Sequence, residues 1–136
     1  MHSGLSVSRG QRLVGLGLIL ATGLLHLVEA PEYYGEVKYV GALFVASMVG
    51  AAVAAYGIWR DERWGWLLGL AVAGGSFAGY VLSRTVGLPS FREASWSQAL
   101  EPMGVLSLIV EGLFVGLSLP LLKVGLGAVR TPADLR

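Results

Sequence analysis

One apolar stretch limits what this chain can fold into more than any other feature. It runs from Pro102 to Pro120, is long enough to cross a bilayer as a helix, and carries a single charged residue, Glu111, near its middle. An Asp, Lys or Arg side chain at the centre of a membrane helix costs roughly 2.5–3.5 kcal/mol even on the scale derived from insertion experiments. We therefore expect Glu111 to face protein, water or a ligand, with other helices around it.

The composition indicates that the other helices also lie in a membrane. Of the 136 residues, 54% are hydrophobic and 14% are charged, and the mean hydropathy is +0.66. A soluble domain of this length could not bury so much apolar surface. The net charge of +1 gives no reason to expect nucleic acid as a partner, and the absence of cysteine excludes thiolate metal sites and disulfides.

The apolar segments predict one all-α domain over residues 1–136, a four-helix transmembrane bundle in up-down-up-down order. The predicted helices cover about 12–30, 39–59, 64–83 and 102–123, which suits a hydrocarbon core of about 30 Å. Pro31 is expected to end the first helix, leaving a loop over 31–38. Three tryptophans near the polar turn between the second and third helices predict an interfacial belt: Trp59, Trp64 and Trp66.

The longest connection, residues 84–101, joins the third and fourth helices. Ser90 and Glu93 match a capping box, so we expect a short interfacial helix over about 91–100. Basic residues predict the orientation, because seven lie on the side of the termini and three on the other side, namely Lys38, Arg84 and Arg92. Since cytoplasmic segments carry the excess of Lys and Arg, both termini are expected in the cytoplasm. The first helix is read as retained, because its apolar run ends in a poor signal-peptide cleavage site.

Polar residues in the outer half of each predicted helix indicate a pocket that opens outward. By the helical rise, His26 and Tyr80 lie about 6 Å inside the outer ends of their helices and Ser107 about 7 Å. Glu111 lies one turn deeper than Ser107 on the same face. The predicted floor is Glu111 with Met48 nearby, the walls are His26, Tyr80 and Ser107, and the rim is Glu29, Arg84, Trp96 and Glu101.

Each of these residues also has a purely structural interpretation. Glu111 could pair with Arg84 or His26 only to fix the helix packing, and Arg84 could extend to lipid headgroups. Tyr80 and Trp96 could be interfacial anchors. The alternative class of function is then a structural accessory subunit of a larger membrane complex.

Three chemistries could use such a pocket. His26 and Glu29, spaced i, i+3 on one helical face, could join Glu111 in a metal site suited to zinc, iron or copper. Haem held by His26 and Met48 is disfavoured, because only one histidine lies in a predicted helix. The favoured hypothesis is binding of a small or lipophilic ligand, in which Glu111 beside an imidazole could exchange a proton as the ligand enters.

A small membrane enzyme or transporter is a further alternative. His26, Tyr80 and Glu111 could act as acid and base on a lipid-soluble substrate, although the sequence contains no serine–histidine or zinc-protease motif. The sequence does not identify a cofactor. Expected partners are the lipid bilayer, a small-molecule ligand, and a second copy of the chain or a larger membrane complex.

Two stretches resemble those of a group of small four-helix membrane proteins of actinobacteria. They are His-Leu-Val-Glu-Ala-Pro-Glu-Tyr at 26–33 and Leu-Ser-Arg-Thr-Val-Gly-Leu-Pro at 82–89. The resemblance implies the four-helix fold and a bacterial cytoplasmic (inner) membrane location, but no activity. The layout is also similar to that of DoxX-type proteins, without matching motif residues.

Overall fold

The structure, a computed structural model, describes the backbone of residues 7–91 and 102–128. These ranges form four α-helices: α1 Arg9–Glu36, α2 Lys38–Trp59, α3 Arg63–Arg84 and α4 Pro102–Ala128. Each contains a segment long and apolar enough to cross a membrane, which confirms the prediction of four apolar helices and indicates a multi-pass membrane protein. The predicted interfacial helix lies outside the described residues, apart from Phe91.

The end of α1 corrects one prediction. The helix continues through Pro31 to Glu36, and within residues 7–91 only Val37 separates it from α2, so the expected loop over 31–38 is absent. Proline removes one helical hydrogen bond, but membrane helices tolerate this loss where neighbouring helices support the next turn. Length and hydropathy do not reveal that support, because it comes from packing.

The turn after Pro31 packs on the start of α2. The rings of Tyr33 and Phe44 stack with their centroids 4.5 Å apart. Gly41 allows the backbone of Tyr34 to come close, since a Cβ added to Gly41 would lie 2.6 Å from the Tyr34 nitrogen. These contacts stabilise the final turns of α1 against the cost of the proline.

The junction of α2 and α3 is a backbone contact between two glycines. A Cβ added to Gly57 would lie 2.6 Å from the Cα of Gly65, so neither position has room for a side chain. Such small residues let helices approach closely in a membrane, where packing drives association. Asp61 turns the chain between the two helices with a positive φ of 59°.

The packed core lies in the half of the bundle that contains this junction. Consecutive helices contact one another and α4 also contacts α1, whereas α1 and α3 make few contacts. Trp66 is 0% exposed and stacks on Phe114 with ring centroids 5.8 Å apart. The prediction that Trp66 belongs to an interfacial belt is therefore wrong, because its ring fills a space beside Gly15 on α1. Trp59 and Trp64 are exposed.

Candidate functional site

The opposite half of the bundle encloses a cavity of about 460 Å³. All four helices and the segment after α3 contribute side chains to it. This volume lies within the range of small-molecule sites, about 300–1,000 Å³. We call the end of the cavity at Arg84 and Phe91 the mouth.

Six of the seven residues predicted to bind a ligand line this cavity: His26, Glu29, Tyr80, Arg84, Ser107 and Glu111. Trp96, the seventh, and Glu101 lie outside the described residues. Met48 is not among the described residues that line the cavity, whereas Ser47 is. Side chains of consecutive residues in a helix point in directions about 100° apart, so Ser47 and Met48 face different neighbours. The carbonyl of Met48 lies near Gly23 of α1.

A buried polar cluster forms the floor of the cavity. Glu111 is 1% exposed, and its Oε1 accepts a hydrogen bond of 2.8 Å from the Ser107 hydroxyl one turn earlier on α4. Nε2 of His26 lies 3.8 Å from the same Oε1. The spacing i, i+4 within α4 explains the first contact, and the packing of α1 on α4 explains the second.

The orientation of the imidazole is fixed from the side of α1. Nδ1 of His26 lies 2.7 Å from the Thr22 carbonyl, which can only accept, so Nδ1 carries a proton and donates it. Nε2 therefore faces Glu111 with either a lone pair or a second proton. Nε2 and the Glu111 carboxyl group are therefore the two sites of this pair at which a proton can be gained or lost.

A row of aromatic rings runs along one wall from this cluster to the mouth. His26 lies 5.0 Å from Phe44, which stacks on Tyr33, and Tyr33 meets Phe91 edge-on at 5.7 Å, all measured between ring centroids. Sequence reasoning missed Tyr33 and Phe44 as cavity residues. The spacing of Val40, Phe44 and Ser47 on one face of α2 could have indicated the second of them.

Arg84 lies across the mouth and is held by its neighbours on α3. Its guanidinium carbon lies 3.6 Å from the centroid of the Tyr80 ring, and Nη1 donates to the Ser83 hydroxyl over 3.2 Å. Its Nε is inaccessible and has no hydrogen-bond partner among the described residues. A cation over a tyrosine face is favourable, especially when partly removed from water.

The polar residues do not form a three-ligand metal centre. Within the described part of the chain, no group of three or more His, Asp or Glu side chains is arranged to hold a metal ion. His26, Glu29 and Glu111 all line the cavity, and Nε2 of His26 lies 3.8 Å from Oε1 of Glu111. The metal site and the ligand site expected from the sequence both stay predictions.

No protein-family model matches this chain, and no curated protein or solved structure is significantly similar to it. The cavity and its lining residues are therefore the basis for a functional proposal. The resemblance to actinobacterial four-helix proteins stays a prediction.

Proposed function

We propose that this protein binds a small lipophilic ligand in the cavity, with Glu111, His26 and Ser107 contacting the polar group of the ligand. The observation that supports this most is that the buried carboxyl–imidazole pair borders an open space. A pair serving only to fix helix packing would be expected to be enclosed by side chains. Ionisable residues inside membrane helices are costly, and they commonly mark ligand or proton pathways.

The chemistry of the floor favours a ligand that donates a hydrogen bond. The carboxyl group of Glu111 can accept a hydrogen bond from a hydroxyl or amine, and Nε2 of His26 can accept or donate a proton beside it. Binding is then linked to proton uptake or release by this pair. The aromatic row supplies apolar surface for the rest of the molecule.

We further propose an up-down-up-down bundle in a bacterial cytoplasmic membrane with both termini inside. Gly23 of α1 contacts Ala51 of α2, and Tyr34 of α1 contacts Gly41 of α2. The residue number rises on α1 as it falls on α2, which supports an antiparallel arrangement of these two helices. The mouth would then face outward.

Because the chain has no cysteine, single reporter cysteines test this orientation. We expect Glu36→Cys to react with a membrane-impermeant maleimide in intact bacterial cells, since it lies at the mouth end of α1. Glu62→Cys, in the turn between α2 and α3, should react only after permeabilisation. The reverse pattern of labelling, read by gel shift, would show that the orientation is inverted.

Ligand binding is tested by co-purification. Wild type, Glu111→Gln and Glu32→Gln are purified in mild detergent, and organic extracts are compared by mass spectrometry. Glu32 is an exposed glutamate near the end of α1 and provides the matched control. We expect wild type and Glu32→Gln to retain a small molecule, and Glu111→Gln to retain about tenfold less, the effect of losing a charge-assisted hydrogen bond.

Two results would contradict the proposal: no retained molecule in the wild type, or equal retention in Glu111→Gln. A structural accessory role predicts something else, namely that Glu111→Gln and His26→Ala each lower the free energy of unfolding by about 3–5 kcal/mol. It also predicts co-purification with a larger protein. An absorption spectrum and elemental analysis of the same samples measure any haem or metal, and a stoichiometric metal lost in Glu111→Gln would favour the metal site.

A further inference from the structure

Several residues line the cavity and also lie on the outer surface of the bundle. On α2 these are Leu43, which is 55% exposed, and Ala46; on α3 they are Ala71 and Gly75. A residue that meets both conditions marks a place where the cavity reaches the surface. Three of them, Leu43, Ala46 and Gly75, lie on the side of Gly50 and Val72 that is away from the turn between α2 and α3.

The seam between α2 and α3 is closed at both ends and open in between. Towards the turn, a Cβ added to Gly50 would lie 2.8 Å from Cγ2 of Val72, so the helices touch there. At the other end, the Tyr39 hydroxyl donates to the Pro89 carbonyl. Between these contacts, a Cβ added to Gly75 or Gly79 would meet no described atom within 4 Å.

The exposure of α3 agrees with a gap on this side. Only 22% of its most apolar window is buried, compared with 33–39% for the other three helices. The gap lies at the level of Leu43 and Ala46, about 8–12 Å along α2 from Lys38. Residues 39–59 carry no charge, so this part of the surface faces hydrocarbon when the helices span a membrane.

We propose that the cavity opens sideways between α2 and α3 into the bilayer, and that its ligand is a membrane-dissolved amphiphile entering there. This inference rests on the proposed ligand site and adds the class of ligand and its route. The hydroxyl or amine of the amphiphile reaches Glu111, and its apolar part lies along the small residues of the opening, Ala46, Gly75 and Gly79. A water-soluble ligand would instead enter at the mouth.

The test uses a long-chain fatty alcohol that carries a photoreactive diazirine beside its hydroxyl. Protein in phospholipid vesicles is irradiated with this probe, and adducts are located by mass spectrometry. Because Glu111 is buried, an adduct on it requires a probe inside the cavity. Adducts on Leu113, which is exposed on the same helix, measure general contact with the bilayer.

We expect Gly75→Leu to reduce the Glu111 adduct several-fold relative to the Leu113 adduct, because the new side chain occupies the opening. Gly116→Leu is the matched control: Gly116 is also exposed and has no described atom within 4 Å of an added Cβ, but it does not line the cavity. If Gly75→Leu loses helicity by circular dichroism, Gly79→Leu replaces it.

The outcomes separate this inference from the proposed function. A Glu111 adduct that is equally strong in wild type, Gly75→Leu and Gly79→Leu would overturn the sideways opening while leaving the ligand site supported. Absence of the Glu111 adduct in the wild type would overturn entry of an amphiphile from the bilayer. In that case the co-purification experiment decides independently whether the cavity binds another ligand.

Discussion

Trp66→Ala is expected to lower the free energy of unfolding by about 3 kcal/mol, the lower end of the range for removing a large core aromatic. Trp66 is fully buried, stacks on Phe114 and lies against Gly15, so its removal leaves a void where α1, α3 and α4 meet. In a bilayer the substitution removes the free energy of packing contacts and little hydrophobic free energy, since lipid is as apolar as the protein interior. This places the expected value at the lower end.

The measurement is a denaturing-detergent titration in mixed micelles, followed by circular dichroism or by a protease-sensitivity assay. Trp59→Ala is the control, because Trp59 is 65% exposed and its truncation removes little packing. Equal stability of the two variants would mean that the Trp66 ring does not hold the helices together.

Gly65→Leu is expected to separate α2 from α3 and to cost about 1–3 kcal/mol, the range for forcing extra atoms into a packed site. A Cβ at Gly65 would lie 2.7 Å from the Cα of Gly57, and backbone atoms cannot move aside as a flexible side chain would. Leucine is the better helix former, so intrinsic propensity opposes the loss and cannot cause it.

The same titration measures this effect, with Gly116→Leu as the control that receives a side chain in open space. We expect Gly116→Leu to be as stable as the wild type or slightly more stable. A Gly65→Leu protein of wild-type stability would contradict the close approach of the two helices.

These two variants act in one half of the bundle, whereas the cavity lies in the other. Trp66 and Gly65 belong to the packed half, and Glu111 and His26 border an open volume. Substitutions at the core should therefore change stability first. Under the proposed function, substitutions on the cavity floor change ligand retention first.

The helices were predictable because their signal is strong: each is a long apolar run bounded by charge or proline, and lipid leaves the backbone few alternatives. The position of the end of α1 was not predictable in this way. Pro31 is a local signal against a helix, but the contacts of Tyr33 and Tyr34 with α2 outweigh it. Contacts with a second helix cannot be read from the sequence pattern of α1 alone.

The residues that line the cavity were predictable where exposing their side chains to lipid would cost free energy. A carboxyl such as Glu111 or an imidazole such as His26 is expensive in lipid, so both were expected to turn inward. Amphipathic or apolar side chains give no such signal. Trp66 and Phe44 suit an interface, lipid or a core equally well. Met48 was expected beside the floor, but Ser47 lines the cavity, because the rotation of α2 about its axis depends on the neighbouring helices.

The contact between Gly57 and Gly65 affects how far α2 and α3 can separate at the other end of the seam. It lies at one end of both helices, where the two backbones meet beside the Trp64 ring, and we infer that the helices can tilt about this point. Tyr39 is 18 residues away on α2, a lever arm of about 27 Å at the helical rise. A tilt of about 5° at the pivot changes the separation at the far end by about 2 Å over that length. The hydrogen bond from Tyr39 to Pro89 restrains this motion at the end of α2 that is farthest from Gly57, where the displacement is largest.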